Sequence, residues 1–382
     1  MGCRVVSLGD VIQLEDSKRQ PLSSRERDSR KGSYPYYGAQ GIVDYLDDYT
    51  YEGDYLLVAE DGENLRSRKQ PIANAAQGRF RVNNHAHVIA ATKRCNLTYL
   101  RHLLNSMDIT AYVTGSTQPK LSQTSLLNMK IELPEIDKQD AIAAFLHCFD
   151  AKSSTNAKLN GYLEELVVAA FSRRFDAIKS TTELGEVLSI STKSLKPQDC
   201  CGEIWEHYSI PAYDTNRRPV FELADNIKSS KYAIDANCIL ISKLNPNIKR
   251  IWMPACSSKQ AVCSTEFIVY RPKNPAHKSF YYAAINAPAF TDFLLAHVTG
   301  STGSRQRAQP KATLTYPMPA PGEEAIENFC IFADPIYEQI KANDRNSKQL
   351  EELRDALLPK LMSGEIDVSK VDLTPLNSHL AE

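Results

Sequence analysis

Apolar and polar residues follow two rhythms in this chain, and the pair of rhythms occurs twice. In the first rhythm, short apolar runs are separated by turn-forming residues. Gly53-Asp54-Tyr55-Leu56-Leu57-Val58-Ala59 and Cys238-Ile239-Leu240-Ile241-Ser242 have the length and branching of buried strands. His87-Val88-Ile89-Ala90-Ala91 and Phe267-Ile268-Val269-Tyr270 read the same way, while residues 99–107 and 279–295 are spaced as helices. The second rhythm is one long helical stripe. Over residues 137–175, heptad a positions are Ile142, Phe149, Asn156, Leu163 and Ala170, and d positions are Phe145, Lys152, Leu159, Leu166 and Arg173. The ends of this stripe are apolar and its middle is polar. Such a helix of ~38 residues spans roughly 57 Å. Residues 323–362 repeat the rhythm with Ile326, Phe329, Ala333, Ile336, Ile340, Leu350, Leu353 and Leu357. Pro335 predicts a kink or a short preceding helix, Gly364 a stop, and the residues beyond 367 a loose tail.

The doubling extends to individual residues. Leu8-Gly9-Asp10-Val11 returns as Leu184-Gly185-Glu186-Val187, and Val113-Thr114-Gly115-Ser116-Thr117 returns unchanged as Val298-Thr299-Gly300-Ser301-Thr302. Leu133-Pro134 answers to Met318-Pro319, and Leu163-Glu164-Glu165-Leu166 to Leu350-Glu351-Glu352-Leu353. The order is kept and the offset stays near half the chain, too long for a solenoid. One unit is therefore used twice, which predicts a pseudo-two-fold molecule of mixed α/β class. The expected boundaries are a head over 1–135, a long helix over 136–183, a second head over 184–320, a second long helix over 321–367 and a tail over 368–382. Each stripe needs cover, either from its own head or from the other helix. Length favours the two helices pairing antiparallel. Offset 187 maps Asn156 onto Asn343, so both are predicted to face the partner helix near the midpoint.

Composition narrows the class. The 382 residues suit two to three domains, with 42% hydrophobic and 24% charged residues. No run of about 18 apolar residues exists to span a bilayer, and the start lacks the apolar stretch of a secretory leader. Nine cysteines without a Cys-x-x-Cys spacing suggest reduced thiols in a cytoplasmic setting. Net charge is −1, unpromising for a nucleic-acid binder, but its distribution is uneven. Residues 184–320 hold 16 Lys+Arg against 10 Asp+Glu, whereas residues 321–382 hold 6 against 13. The second head is the segment suited to face a polyanion.

Catalytic signatures are missing. Gly-x-x-x-x-Gly-Lys-Ser/Thr, Gly-x-Gly-x-x-Gly, Gly-x-Ser-x-Gly and His-Glu-x-x-His do not occur. Asn245-Pro246-Asn247-Ile248 lacks the second proline and the aromatic of an amino-methyltransferase motif. Neither Glu60-Asp61-Gly62 nor Glu135-Ile136-Asp137 is followed by the Glu-x-Lys of a metal-dependent nuclease. His85 and His87 alternate along a strand and could share a metal, but surface or hydrogen-bonded histidines are the commoner case, so no metal is expected. What is left is a binding protein with two diverged heads on a spacer.

Five segments, in order, resemble the specificity subunit of type I DNA restriction-modification systems. They are Tyr34-Pro35-Tyr36-Tyr37-Gly38-Ala39-Gln40-Gly41-Ile42-Val43-Asp44-Tyr45; the strand and turn from Gly53 to Gly62; Thr114-Gly115-Ser116-Thr117-Gln118-Pro119-Lys120-Leu121-Ser122 with Ile131-Glu132-Leu133-Pro134 and Gln139; Leu240-Ile241-Ser242-Lys243-Leu244-Asn245-Pro246-Asn247-Ile248-Lys249-Arg250-Ile251-Trp252; and Leu357-Leu358-Pro359-Lys360-Leu361-Met362-Ser363-Gly364-Glu365-Ile366. The second unit departs by a longer turn at 300–307 and by Glu324 where the first has Gln139. The resemblance implies two target recognition domains, each reading half of a split double-stranded DNA site. Two antiparallel helices would fix the gap and dock two methyltransferase subunits. Restriction/translocase subunits would join them, in a prokaryotic cytoplasm with no membrane. S-adenosylmethionine, ATP and Mg would belong to those partners, and this chain would hold no cofactor and no catalytic residue.

Candidate DNA contacts are Arg66, Arg68, Lys69, Arg79, Arg81, Gln118 and Lys120 in the first head, and Lys243, Asn245, Lys249, Arg250, Arg305, Arg307 and Lys311 in the second. Arg and Lys suit guanine edges or phosphates; Asn and Gln suit adenine. Each has a plain-surface alternative, and the repeated turn is equally a structural join. Expected spacer contacts are Ile142, Phe145, Phe149, Asn156, Leu159, Leu163 and Leu166 against Ile326, Phe329, Ile336, Ile340, Asn343, Leu350, Leu353 and Leu357. Two other readings are a scaffold that holds enzymes without reading DNA, and a catalytic fusion, which the missing motifs disfavour.

Overall fold

The computed structural model describes residues 4–299 and 306–368. Arg305, the Gly300-Ser301-Thr302 copy of the repeated turn and the tail from residue 369 lie outside the described residues. The chain forms two compact units, residues 1–154 with 348–382 and residues 155–347. Each takes one head and one half of each long helix. No helix among the described residues is long and apolar enough to cross a membrane.

In the first unit six strands form one sheet, in the order Gln13–Leu14, Ala86–Ala90, Tyr51–Ala59, Ala73–Val82, Lys31–Gly38 and Gly41–Leu46. All neighbours are antiparallel except Lys31–Gly38 and Ala73–Val82, which run parallel with Tyr36 opposite Arg81. Helix Leu97–Ser106 buries Tyr99, Leu100 and Leu104; the Asn96 side chain caps it by accepting from the Tyr99 amide at 3.0 Å. Strand Arg4–Ser7 closes the head by pairing with Lys130–Leu133.

The second unit repeats this connectivity with a break. Ile204–Tyr208 and Ala261–Ser264 form its parallel pair, and Val220–Leu223 is again the antiparallel edge strand. Where the first head has the single strand Tyr51–Ala59, the second has Lys231–Ala233 and Ile239–Ser242, so its strands divide into sheets of five and four. The helix expected over 279–295 is two, Lys278–Asn286 and Pro288–Ala296. Proline at 288 cannot donate to the first helix and pushes Ala287 into extended backbone, φ −66° and ψ 148°. The repeated Leu-Gly pairs do one job in both units. Leu8 N donates to Met129 O at 2.8 Å and Leu184 N to Tyr316 O at 2.9 Å. A Cβ on Gly9 or Gly185 would stand 3.2 Å from Leu127 or Leu314, so any larger residue crowds the join.

The long helices run Ile136–Phe175 and Glu323–Ser363. The second runs on through Pro335, so the short preceding helix does not form. The hydrogen bond that proline forfeits belongs to the carbonyl of Ile331, a residue 72% exposed, so water can replace it. In the first unit Ile142, Ala143 and Leu146 share a core with Leu358 and Leu361, with Phe145 and Leu357 half-buried on it. In the second unit Val167, Phe171 and Phe175 pack with Phe329, Ala333 and Tyr337, and Ile326, Ile336 and Ile340 lie against them. In each unit, then, the start of one helix meets the end of the other, an antiparallel arrangement. Phe149, Asn156 and Asn343 are buried, and Leu163 and Leu350 are half-buried. Leu159, Leu166 and Leu353 are corrections: they are 42%, 50% and 49% exposed. Asn160 and Val167 take the seam positions assigned to Leu159 and Leu166.

A polar layer sits in the second unit's stretch of the helix pair. Asn156 Nδ2 donates to Ser347 Oγ at 3.0 Å and to Asn346 Oδ1 at 3.1 Å, and lies 3.4 Å from the Asn343 carbonyl. Asn343 Nδ2 donates to Asn160 Oδ1 at 2.8 Å. Offset 187 carries Asn156 to Asn343 and Asn160 to Ser347, so the Asn156–Ser347 and Asn343–Asn160 bonds are counterparts under the internal repeat.

Candidate nucleic-acid interface

The flanks of the repeated turn meet the exit of the central strand in both heads, through the bridges Asp61–Lys120 and Leu244–Arg307. In the first, Thr114 and Lys120 exchange backbone hydrogen bonds of 2.8 Å, which leaves Ser116, Thr117 and Gln118 exposed at the tip. Gly115 has φ +85°, and a Cβ there would fall 2.2 Å from the Gln118 carbonyl, so only glycine closes this turn. Gly62 N donates to Pro119 O at 3.0 Å, joining the turn to the loop after Tyr51–Ala59. In the second head Val298–Thr299 pairs with Arg307–Ala308, and Asn245 N donates to Gln306 O at 3.0 Å. Asn245 thus stands where the first head has Gly62, and both have positive φ, +48° and +111°. Arg307 stands where the first head has Lys120, each bridged to the strand-exit loop, at Leu244 and Asp61.

A charged network braces the first turn from below. His87 is buried between Asp16, with Nδ1 2.6 Å from Oδ2, and the Leu121 carbonyl, 2.9 Å from Nε2. Arg19 Nη1 donates to Glu60 Oε2 at 2.6 Å, and Lys120 Nζ lies 3.2 Å from Glu60 Oε1. Burial pushes the Glu60 carboxyl up, but Arg19, His87 and Lys120 outweigh it and hold it below its usual range. Asp16, Glu60 and His87 are close enough to share a cation. The Arg19 guanidinium, also 3.3 Å from Asp16, and the Lys120 ammonium already supply that charge. His85 turns to a different carboxylate, Asp61 at 2.7 Å, so the two histidines do not share a partner.

The remaining candidates divide by environment. Arg66 is exposed but donates to the carbonyls of Gly115 and Ser116, holding the turn. Arg68, a left-handed residue at φ +50°, donates to the carbonyls of Leu104 and Asn105. Lys69, Gln118 and Lys311 are exposed. Arg79 pairs with Glu52 across the sheet at 2.9 Å and lies 4.9 Å above the Tyr49 ring. In the second head Lys243 donates to Thr265 O and Lys249 to Asn286 O, both at 2.6 Å, while Arg307 pairs with Glu266 at 3.2 Å.

Arg81 and Arg250 are corrections. Arg81 is 2% exposed and bound to Asp48 and Gln20; Arg250 is 8% exposed and bound through two nitrogens to Asp214, at 2.6 and 2.8 Å. A guanidinium enclosed with its own carboxylate or amide has no face to offer a base. Sequence reasoning missed the brace of Asp16, Arg19 and Glu60, for which no motif exists. It also missed Tyr49 beneath Arg79, although seven tyrosines between Tyr34 and Tyr55 were a visible signal.

The family model for the type I restriction modification DNA specificity domain matches residues 2–165. A putative type I restriction enzyme specificity subunit of Haemophilus influenzae is 34% identical over 147 residues, 38% of this chain and 37% of that one. The EcoprrI specificity subunit of Escherichia coli is 28% identical over 155 residues, 39% of this chain and 36% of that one. The match therefore spans little more than a third of these relatives. The crystal structure of a type I restriction-modification S subunit from M. genitalium shares the fold, with TM-score 0.50 and 15% identity over 94% of this chain and 95% of that one.

Proposed function

We propose that this chain, whose residues 2–165 match the type I restriction modification DNA specificity domain, is a specificity subunit of such a system and that each head reads one half of a split double-stranded DNA site. The observation that carries the reading is the matched flank of the repeated segment: Thr114 pairs with Lys120 in the first head and Thr299 with Arg307 in the second, each beside the loop that leaves the central strand, with different side chains around it. Gly62, Lys120 and Glu60 surround the first copy, and Asn245, Arg307 and Lys243 the second. A constant frame with variable chemistry is what two readers of different half-sites need. Arg66, Lys69, Arg79, Gln118, Lys120, Lys249, Arg307 and Lys311 are the exposed candidates among the described residues. The near-neutral net charge is compatible with this role if partner subunits add phosphate contacts.

The long helices set the gap and dock the partners in this reading. Leu159, Tyr162 and Leu166 form an exposed apolar stripe on the first helix. Such a stripe suits a helix of another subunit, and two methyltransferase subunits are the partners proposed. Methylation with S-adenosylmethionine, and cleavage with ATP and Mg by restriction/translocase subunits, belong to those partners in a prokaryotic cytoplasm. This chain supplies the address. The test is reconstitution. The purified chain should neither methylate nor cut DNA, and adding a modification subunit should produce methylation confined to a bipartite sequence. Turnover by the chain alone, or methylation without sequence preference, overturns the reading; the latter would make the chain a scaffold.

A further inference from the structure

The backbone around the exit of the central strand is the same in the two heads, bond by bond. In the first, Glu60 N donates to His85 O at 2.9 Å, Leu121 N to Glu60 O at 2.8 Å and Gly62 N to Pro119 O at 3.0 Å. In the second, Lys243 N donates to Glu266 O at 2.7 Å, Ala308 N to Lys243 O at 2.9 Å and Asn245 N to Gln306 O at 3.0 Å. The strands that lead there keep one register, with Ala59 opposite Ala86 and Ser242 opposite Phe267. The approach to the return strand is shared as well. The His85 amide donates to Asn83 Oδ1 at 2.8 Å and the Glu266 amide to Ser264 Oγ at 3.2 Å, each two residues back. Glu266 therefore holds in the second head the place of His85 in the first.

The side chains on this shared backbone differ in how well they satisfy one another. In the first head His85 meets Asp61 at 2.7 Å and Lys120 meets Glu60 at 3.2 Å. In the second, Arg307 holds Glu266 Oε1 at 3.2 Å, but Glu266 Oε2 and Asn245 Oδ1 are enclosed with no hydrogen-bond partner among the described residues. An enclosed acceptor without a donor is costly, a carboxylate oxygen more so than an amide oxygen. The Glu266 side chain as a whole is 33% exposed. Its terminal torsion is broad and two-fold, so either oxygen can turn outward while the other stays with Arg307. A carboxylate beside DNA repels phosphates and offers only acceptors, so it suits a base edge that presents a donor. In the major groove that donor is an exocyclic amine, N4 of cytosine or N6 of adenine.

We propose that Glu266 is a specificity-determining residue of the second head, set in place by Arg307 and accepting a hydrogen bond from the exocyclic amine of one base in that head's half-site. The assignment rests on the reading of the heads as DNA binders, and adds an acidic side chain to their basic and amide candidates. Holding one oxygen on Arg307 fixes the carboxylate before DNA arrives, which is what a single directional contact needs to discriminate between bases.

The experiment reconstitutes the full chain with modification subunits and maps methylated sites by sequencing, for the wild type, Glu266→Ala and Glu266→Gln. Glu266→Ala should relax one position of one half-site, with at least about fivefold loss of preference there, and leave the other half, the gap and the Tm unchanged. Glu266→Gln tells the two amines apart. An amide reads adenine through N6 and N7 together, so a G·C pair at that position should give way toward A·T, whereas an A·T pair should be kept. Half-sites unaltered in Glu266→Ala, or an equal loss of methylation at every site with an unaltered Tm, overturn the assignment and leave the reading of two DNA-binding heads intact. A wild-type complex without a bipartite preference overturns both.

Discussion

Lys120 and Arg250 are both cations on loops of their heads, and their surroundings assign them different work. Lys120 is half exposed beside Glu60, on the repeated turn. Arg250 is enclosed and spends two nitrogens on Asp214. Lys120→Gln should therefore leave melting almost unchanged, because exposed ion pairs contribute about 0–1 kcal/mol. It should reduce the slope of log K against log salt by roughly one if the ammonium meets a phosphate. Arg250→Gln should lower stability by about 2 kcal/mol, the scale of lost hydrogen bonds to a charged group, and leave the slope alone. Denaturant unfolding and DNA titration at several salt concentrations check both. A flattened slope for Arg250→Gln without lost stability would return that residue to the DNA surface. Residue type alone could not separate these cases. Arg81 illustrates why: it lies two positions from exposed Arg79 on one strand, but where that strand gains a parallel neighbour and is covered.

At the scale of elements, the long helices were legible from their stripes to within a residue or two, but the seam was not. The heptad assumes 3.5 residues per turn. The buried series Ile142, Leu146, Phe149, Asn156, Asn160, Val167, Phe171 and Phe175 averages about 3.7, closer to a straight helix. Heptad positions therefore drift off the seam with distance, which is why Ile142 and Phe149 are buried while Leu159 and Leu166 are exposed. The midpoint asparagines do lie on the seam, and their bonds change what substitution should do. Leucine at both Asn156 and Asn343 would strand Ser347 and Asn160, both buried, without their donors. The double variant should lose roughly 1–3 kcal/mol. Making all four positions apolar should restore stability, at the cost of the polar layer that disfavours other registers. Thermal melting of both variants checks this, and a double variant as stable as the wild type would mean that the layer is not closed in solution. Turns and breaks were legible where covalent chemistry dictates them. Pro288 splits one expected helix into two, whereas Pro335 splits nothing because the carbonyl it orphans belongs to a solvent-facing residue.

At the scale of the whole molecule, duplication was the most legible feature, because the repeated residues are those the backbone demands. Gly9 and Gly185 sit where Leu127 and Leu314 crowd in, and Gly115 where the turn doubles back. The proposed reading surface was the least legible, because the candidate residues lie where the two copies have diverged and where a side chain's neighbours come from distant strands. Independence of the two heads is the central claim. It is tested most directly by replacing residues 4–135 with the corresponding segment of a relative of different specificity, reconstituting with modification subunits, and mapping methylated sites by sequencing. The account predicts that one half of the bipartite site changes while the other half and the gap between them stay the same. A change in both halves, or an unaltered site, would contradict it.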